Sequence, residues 1–220
     1  MSDYKPQWHR ANLLPSMLGT MALLFICLKF FDDEIVKEVG VFDMAVLWFI
    51  RQNTPLEMTG FFTLITSTGA AIYLVPATVV ITATFFVFTH KREACLIAAT
   101  MACAAVATYA IKALVNRGRP DLCNATSYAI SSFPSVHTLC TTALAMALAL
   151  CVPRLWPMSR CIALAPAALW AGLMALSRLV LGAHRPTYVL AAVVLGVFIA
   201  SAISAYRDHH SPRWVVYKFS

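Results

Sequence analysis

Two polar stretches interrupt an otherwise apolar chain, and they determine how the sequence is organised. Residues 112–137 begin with K-A-L-V-N-R-G-R-P and end with F-P-S-V-H, and residues 177–188 read S-R-L-V-L-G-A-H-R-P-T-Y. Cations and imidazoles are costly beside a bilayer, so their concentration at the ends of apolar segments indicates a functional site. The residues concerned are Lys112, Arg117, Arg119, His137, Arg178, His184 and Arg185.

The composition excludes a soluble globular domain. Of the 220 residues, 60% are hydrophobic and only 12% are charged. A compact soluble fold could not cover that much apolar side chain with so few charges. The sequence therefore predicts an all-α, polytopic membrane protein that forms a single domain over residues 1–220.

Apolar runs of membrane-spanning length predict six transmembrane helices. The apolar run at 41–50 is too short to span and predicts an interfacial helix in the first loop. In the long run that follows residue 59, Gly69 and Pro76 interrupt the pattern, so the span is placed in its later part and the earlier half at the interface. The predicted spans are 13–31, 72–88, 94–115, 135–152, 161–181 and 187–206.

The basic residues predict the orientation of these spans. The net charge of +7 does not indicate a nucleic-acid partner, because the cations are dispersed among short loops. With six spans, the two termini and the even-numbered loops share one side, whereas the acidic segment 32–57 lies opposite. The positive-inside rule then predicts cytoplasmic termini and a site facing the periplasm or exterior, as in a bacterial inner membrane. The basic residues on the terminal side are Lys5, Arg10, Lys91, Arg92, Arg154, Arg160, Arg207, Arg213 and Lys218.

The two stretches carry groups suited to phosphate. Lys112, Arg119 and Arg178 are fixed cations, and the two guanidinium groups offer planar forks that match phosphoryl oxygens. Ser135 and Val136 fall at the start of the fourth predicted span, where backbone N–H groups can bind an anion. Two histidines beside such a cluster can share the roles of nucleophile and general acid.

Each feature has a plainer explanation when it is taken alone. Lys112 could extend its amine to the membrane interface, and Ser135 could simply begin a helix with His137 nearby. The combination on one side of the membrane favours phosphate binding instead. Arg117 and Arg185 are assigned to lipid headgroups and left outside the core site.

The spacing of these residues resembles the three signatures of the type-2 phosphatidic acid phosphatase family. Residues 112–120 match its first signature as K-x6-R-P, and residues 134–137 are similar to its second, Pro-Ser-Gly-His. Residues 177–184 resemble its third, S-R-x5-H, which normally ends with Asp four residues after the His. The blocks occur in the family's order and span about a third of the chain.

The resemblance implies a function and assigns roles. His184 is expected to form a phosphohistidine while His137 protonates the leaving oxygen of a phospholipid or polyprenyl phosphate. Protein cations would stabilise the charge, so no metal or other cofactor is expected. The sequence offers no convincing set of metal ligands, since Asp121 is the one acid near the two histidines.

Two positions depart from the family pattern. Val136 replaces Gly and lacks easy access to positive φ angles, and Tyr188 replaces the Asp that would orient the nucleophile. Helical spacing predicts residue 188 on the same face as His184, one turn further along. These departures leave open an active phosphatase in which an acid such as Asp121 substitutes, a catalytically impaired lipid-phosphate-binding relative, and a lipid phosphotransferase. A small transporter is disfavoured, because no inverted repeat is found.

Overall fold

A computed structural model describes residues 33–115, 133–155 and 160–210. All regular structure in these segments is helical, as the sequence predicts. The predicted span 13–31, together with Arg117, Arg119 and Asp121, lies outside the described residues. The helices are α1 (Asp33–Asn53), α2 (Met58–Thr68), α3 (Ala71–Val87), α4 (Lys91–Val115), α5 (Val136–Leu155), α6 (Arg160–Val180) and α7 (Pro186–His210).

The described helices have the length and apolar character of membrane spans. Four of them, α4 to α7, qualify singly, and α2 with α3 qualifies as one span bent by 48°. The described segments thus contain four or five candidate spans, and the count of six stays a prediction. The predicted interfacial helix at 41–50 lies within the longer α1. One side of α1 exposes Phe42, Trp48 and Phe49 while Asp43 and Leu47 are buried on the other.

Helix α5 is the centre of the bundle, because it packs against α4, α6 and α7. Every side chain from Thr138 to Ala145 is buried. Small residues permit this close packing. At Gly196 of α7, an added Cβ would lie 2.8 Å from the carbonyl oxygen of Leu139 and 2.9 Å from Cβ of Thr142. The backbones of α5 and α7 therefore touch at a position where a larger residue would force them apart.

Contacts at both ends show that α5 and α7 run parallel. Near their starts, the rings of Phe133 and Tyr188 meet edge to face with centroids 5.2 Å apart. At the other end, Arg154 donates a hydrogen bond of 2.6 Å to Asp208. The segments that precede these two helices therefore lie side by side at one end of the bundle.

Helix α4 runs antiparallel to α5 and α7. Its first turn carries Glu93, which lies 3.7 Å from Arg207 near the end of α7. Further along, the side chains of Thr108 and Cys140 are hydrogen-bonded, and Cys140 lies near the start of α5. The last turn of α4, which carries Lys112, consequently lies at the end of the bundle where α5 and α7 begin.

The boundary between α3 and α4 differs from the interval of residues 89–93 that the predicted spans 72–88 and 94–115 leave between them. Helix α4 already begins at Lys91, and the reversal is made by Thr89, whose φ is 67°. Glu93 in the first helical turn suits the positive end of the helix dipole. The predicted span 94–115 leaves out the charged residues 91–93, whereas the structure includes them in the first turn of the helix, with Lys91 and Arg92 exposed.

Candidate active site

The chain reverses between α6 and α7 through a glycine-dependent helix end. The N–H of Ala183 donates to the carbonyl of Arg178 at 3.0 Å, and the N–H of Gly182 donates to that of Leu179 at 2.9 Å. These two bonds define a Schellman motif, which needs a left-handed residue at its centre. Gly182 has φ 62° and meets this need without steric cost. The sequence S-R-L-V-L-G-A-H therefore encodes a tight turn that leads directly to His184.

His184 lies in this turn and not in a helix. Helix α7 begins two residues later at Pro186, whose fixed φ and missing N–H suit the first helical position. The prediction that residues 184 and 188 lie on the same face of one helix was therefore wrong, because the helix begins at Pro186, after the histidine. The His184 side chain is only 4% exposed, so its position is fixed by surrounding protein.

A carboxylate from α1 caps the start of α7. Asp43 accepts a hydrogen bond from the backbone N–H of Thr187 at 3.0 Å and another from the Thr187 hydroxyl at 2.7 Å. The first N–H groups of a helix lack partners within the helix, and an anion there is favoured by the helix dipole. Asp43 is 1% exposed, so this cap is fully buried.

Tyr188 occupies the position of the missing acid and has a packing contact of its own. Its ring is 4% exposed and lies edge to face against Phe133. The guanidinium carbon of Arg185 lies 5.9 Å from the ring centroid. Tyr188 therefore joins the start of α7 to the segment that precedes α5.

The start of α5 is formed by Ser135 and the residues that follow it. The Ser135 carbonyl accepts from the N–H of Leu139 at 2.9 Å, and its hydroxyl accepts from the Thr138 hydroxyl at 3.1 Å. Both hydroxyl groups are buried. Ser135 thus directly precedes the first helical residue, and His137 follows in the first turn, half-buried.

Val136 imposes no backbone strain on the α5 start. Among the described residues other than glycine, only Thr89 has a positive φ. Val136 is the first residue of α5, in ordinary helical conformation, and its side chain packs against the hydrophobic core. Position 136 therefore does not use the positive φ angles that distinguish glycine from valine.

Arg178 is oriented by α2. Its Nη1 donates a hydrogen bond of 2.7 Å to the hydroxyl of Thr66. A second hydrogen bond joins the same two helices, in which Nε1 of Trp170 donates to the hydroxyl of Thr68 at 3.1 Å. At the bend that follows, a Cβ on Gly69 would lie 2.6 Å from the Met174 side chain. The bent pair α2–α3 therefore docks closely on α6 and fixes the guanidinium near the end of that helix.

The described residues place most of the predicted site at one end of the bundle. Lys112 is in the last turn of α4 and Arg178 in the last turn of α6. The starts of α5 and α7 lie at the same end. The predicted site residues described there are Lys112, Ser135, Val136, His137, Arg178 and His184, whereas Arg119 lies outside the described residues.

The sequence analysis missed two residues that contact this site. Thr66 lies in the segment that the sequence predicts at the membrane interface, and nothing in its local sequence indicates a contact with the site. Asp43 did have a signal, because it is a lone acid in the apolar run V-F-D-M-A-V-L-W. An acid in such a run is expensive unless it has a partner.

Nothing in the described segments groups three or more His, Cys, Asp or Glu side chains in a way that could hold a metal ion. The groups that the described residues bring to this end of the bundle are cations, helix starts and two histidines.

Comparison with known proteins agrees with this architecture. Residues 93–211 match the sequence profile of the PAP2 superfamily, and the chain belongs to that family. The resemblance drawn from the three signatures is thereby confirmed. No curated protein sequence matches the chain significantly.

Two solved structures are similar in fold. One is a transmembrane PAP2-type phosphatidylglycerolphosphate phosphatase from Bacillus subtilis, with TM-score 0.78 and 21% identity over 90% of this chain and 98% of that one. The other is LpxE from Aquifex aeolicus, with TM-score 0.57 and 22% identity over 73% of this chain and 93% of that one. The chain thus has the membrane-embedded PAP2 fold.

Proposed function

We propose that this protein is an integral membrane phosphatase that hydrolyses lipid phosphate or polyprenyl diphosphate monoesters through a phosphohistidine on His184. One observation carries the proposal. In a chain of the PAP2 superfamily, the turn with His184, the end of α6 with Arg178 and the start of α5 with His137 lie at one end of the bundle. In this proposal, phosphate binding, attack and proton transfer are assigned to these neighbouring helix ends.

In the proposed reaction, the cations and the α5 start bind the phosphoryl group. Lys112, Arg119 and Arg178 neutralise its oxygens, and the backbone N–H groups of the first turn after Ser135 add hydrogen bonds. Phosphoryl transfer depends mainly on such positioning and charge stabilisation. These groups are supplied by the protein itself, so the proposal needs no metal ion.

The two histidines divide the chemistry. A ring nitrogen of His184 attacks phosphorus, the bond to the leaving oxygen breaks, and His137 donates a proton to that oxygen. Water then attacks the phosphohistidine while the neutral His137 accepts a proton from it. Phosphate leaves and both histidines return to their starting states.

The membrane setting favours a lipid substrate. The outward faces of the spans expose large apolar side chains such as Val80, Val106 and Leu190, which suits contact with acyl chains. A site at the ends of such helices lies near the level of the phosphate headgroups of the same bilayer. The similar fold of the Bacillus subtilis enzyme makes phosphatidylglycerol phosphate a reasonable first candidate.

Phosphate release by the purified protein tests this proposal. We expect release from at least one member of a panel containing phosphatidic acid, phosphatidylglycerol phosphate and a polyprenyl diphosphate. Because the bound charge is neutralised by side chains, the rate should be unchanged in EDTA. Activity that is lost in EDTA and restored by a divalent ion would overturn the proposed chemistry.

Tyr188 supports one alternative, a relative that binds lipid phosphate without hydrolysing it. A neutral hydroxyl cannot stabilise a charged imidazole as a carboxylate does. Vanadate binding without release from any substrate would favour this alternative. A lipid phosphotransferase would use the same intermediate, and product analysis with added acceptor lipids separates it from a hydrolase.

The proposed orientation has cytoplasmic termini and an outward-facing site, with six spans. The distribution of basic residues motivates it. A reporter fused after Ser220 should then be cytoplasmic, and one inserted at Asn124 should be external. If both reporters lie on the same side of the membrane, the six-span arrangement is wrong.

A further inference from the structure

We propose that Asp43 is a positioning residue of this site, which holds His184 through Thr187 and takes over a role of the carboxylate absent from position 188. The inference rests on the proposed function, because it concerns the orientation of the proposed nucleophile. It differs from the substitution by Asp121, since Asp43 comes from α1, far from the three signatures in sequence.

The burial of Asp43 is the first observation. A carboxylate that is 1% exposed has lost its hydration, which is costly unless other groups replace it. Both hydrogen bonds of Asp43 go to Thr187, one to its N–H and one to its hydroxyl. The buried charge is thus directed at a single residue, three positions after His184.

The second observation is the geometry of the turn that carries His184. On its α6 side, the turn is fixed by the Schellman bonds around Gly182. On its α7 side, Thr187 is held by Asp43. The short segment between these two fixed points contains His184 and Arg185, so Asp43 controls one of the two anchors that set the position of the histidine.

Arg185 adds a further contact between α1 and this turn. A Cβ on Gly40 would lie 3.9 Å from Nη1 of Arg185, so the guanidinium lies beside α1 one turn before Asp43. The same guanidinium lies against the Tyr188 ring. Helix α1 therefore contacts the segment both before and after the helix start at Pro186.

The occupant of position 188 cannot perform this function. The Tyr188 ring is buried against Phe133, so this residue joins two segments by packing. In the family pattern, an acid at this position acts on the histidine from within the same segment. Here the carboxylate is supplied across a helix interface and acts through a backbone N–H and a hydroxyl.

A cap that only stabilises α7 would make the same contacts, so the test must separate stability from positioning. Asp43→Ala removes both acceptors. Asp43→Asn retains an oxygen for the Thr187 N–H and can donate its amide hydrogen to the hydroxyl. Leu47→Ala is the matched control, because Leu47 is buried on the same side of α1, one turn further along, without a polar role.

We expect Asp43→Ala to lower kcat by about 10- to 100-fold, with KM changed by less than about threefold, since small misplacements of a reacting group have effects of that order. Asp43→Asn should retain kcat within about threefold. Thr187→Val, which loses only the hydroxyl bond, should fall between wild type and Asp43→Ala, and Thr187→Ser should resemble wild type. Leu47→Ala should lower the melting temperature and leave kcat unchanged. All rates are compared per amount of folded protein.

A second readout does not depend on activity. In protein labelled with 15N-histidine, the His184 ring signals are assigned by their loss in His184→Gln. Asp43→Ala should shift these signals, whereas Asp43→Asn and Leu47→Ala should leave them in place. If wild type releases no phosphate, the proposed function fails, and the His184 signals still decide whether Asp43 positions the ring.

Three outcomes would overturn the inference. The first is an Asp43→Ala variant with wild-type kcat, and the second is unchanged His184 signals in that variant. The third is an equal loss of kcat in Asp43→Ala and Leu47→Ala, because that result would assign the effect to general destabilisation.

Discussion

His184→Gln should abolish phosphate release, with a loss of turnover on the order of 10⁴- to 10⁶-fold, the range seen when a covalent nucleophile is removed. Glutamine approximates the size and polarity of the ring and lacks a nucleophilic nitrogen. His137 cannot replace it, because in the proposed reaction His137 serves only the leaving oxygen and the water. Steady-state phosphate release in detergent or vesicles measures the effect.

His90→Gln is the matched control for this substitution. His90 lies in the turn before α4, at the opposite end of the bundle, with its ring 6.5 Å from that of Phe85. Its replacement should leave turnover unchanged. A His184→Gln enzyme that keeps turnover within tenfold of wild type, in folded protein, would remove His184 from the mechanism.

Arg178→Ala should weaken the binding of vanadate by about 2–5 kcal/mol, which corresponds to about a 30- to 4,000-fold loss of affinity. The guanidinium is held in place by its bond to Thr66. In the proposed site its planar fork binds the phosphoryl oxygens. Arg178→Lys should recover only part of the affinity, because an ammonium keeps the charge and loses the fork. Displacement of a labelled lipid phosphate by vanadate gives the affinities.

Arg154→Ala controls for the loss of an arginine elsewhere in the bundle. Arg154 is bonded to Ser204 and Asp208 at the end remote from the proposed site, so its removal should not change vanadate affinity. Thr66→Val should produce a smaller loss than Arg178→Ala, since the guanidinium remains but is less well oriented. Equal affinities of wild type and Arg178→Ala would remove Arg178 from the phosphate site.

The membrane helices could be predicted from sequence because a bilayer leaves few choices. A long apolar run has to satisfy its backbone groups internally, and this dictates a helix. The predicted spans 94–115, 161–181 and 187–206 accordingly agree with α4, α6 and α7 to within a few residues, except for four added residues at the end of α7. Helix boundaries were predicted less accurately where charged residues flank an apolar run. At Lys91, the helix begins three residues before the predicted span.

The contacts between distant segments could not be predicted in the same way. Thr66 and Arg178 are 112 residues apart, and Asp43 and Thr187 are 144 residues apart. The periodicity of a local sequence contains no information about which distant residues contact each other. Asp43 could have been noticed as an isolated acid on an apolar helix, but its partner depends on how α1 packs against α7.

The structural consequences of the two departures from the family pattern also could not be predicted from the sequence. Val136 raised a concern about backbone freedom, and the ordinary helical start of α5 removes it. Tyr188 suggested the loss of a carboxylate, and the sequence directed attention to Asp121, which is close to the signatures. Asp121 lies outside the described residues, and among those described a buried carboxylate is found at Asp43, because helix packing brings α1 to the histidine turn.

Trapping of the phosphoenzyme tests the central claim most directly. Wild-type protein is mixed with a lipid substrate labelled in its phosphate and quenched in base, in which a phosphoramidate bond survives. The account predicts label that is stable in base, labile in acid, located on the peptide containing His184, and absent from His184→Gln. Phosphate release by wild type without any labelled His184 peptide, or label that persists in His184→Gln, would contradict it.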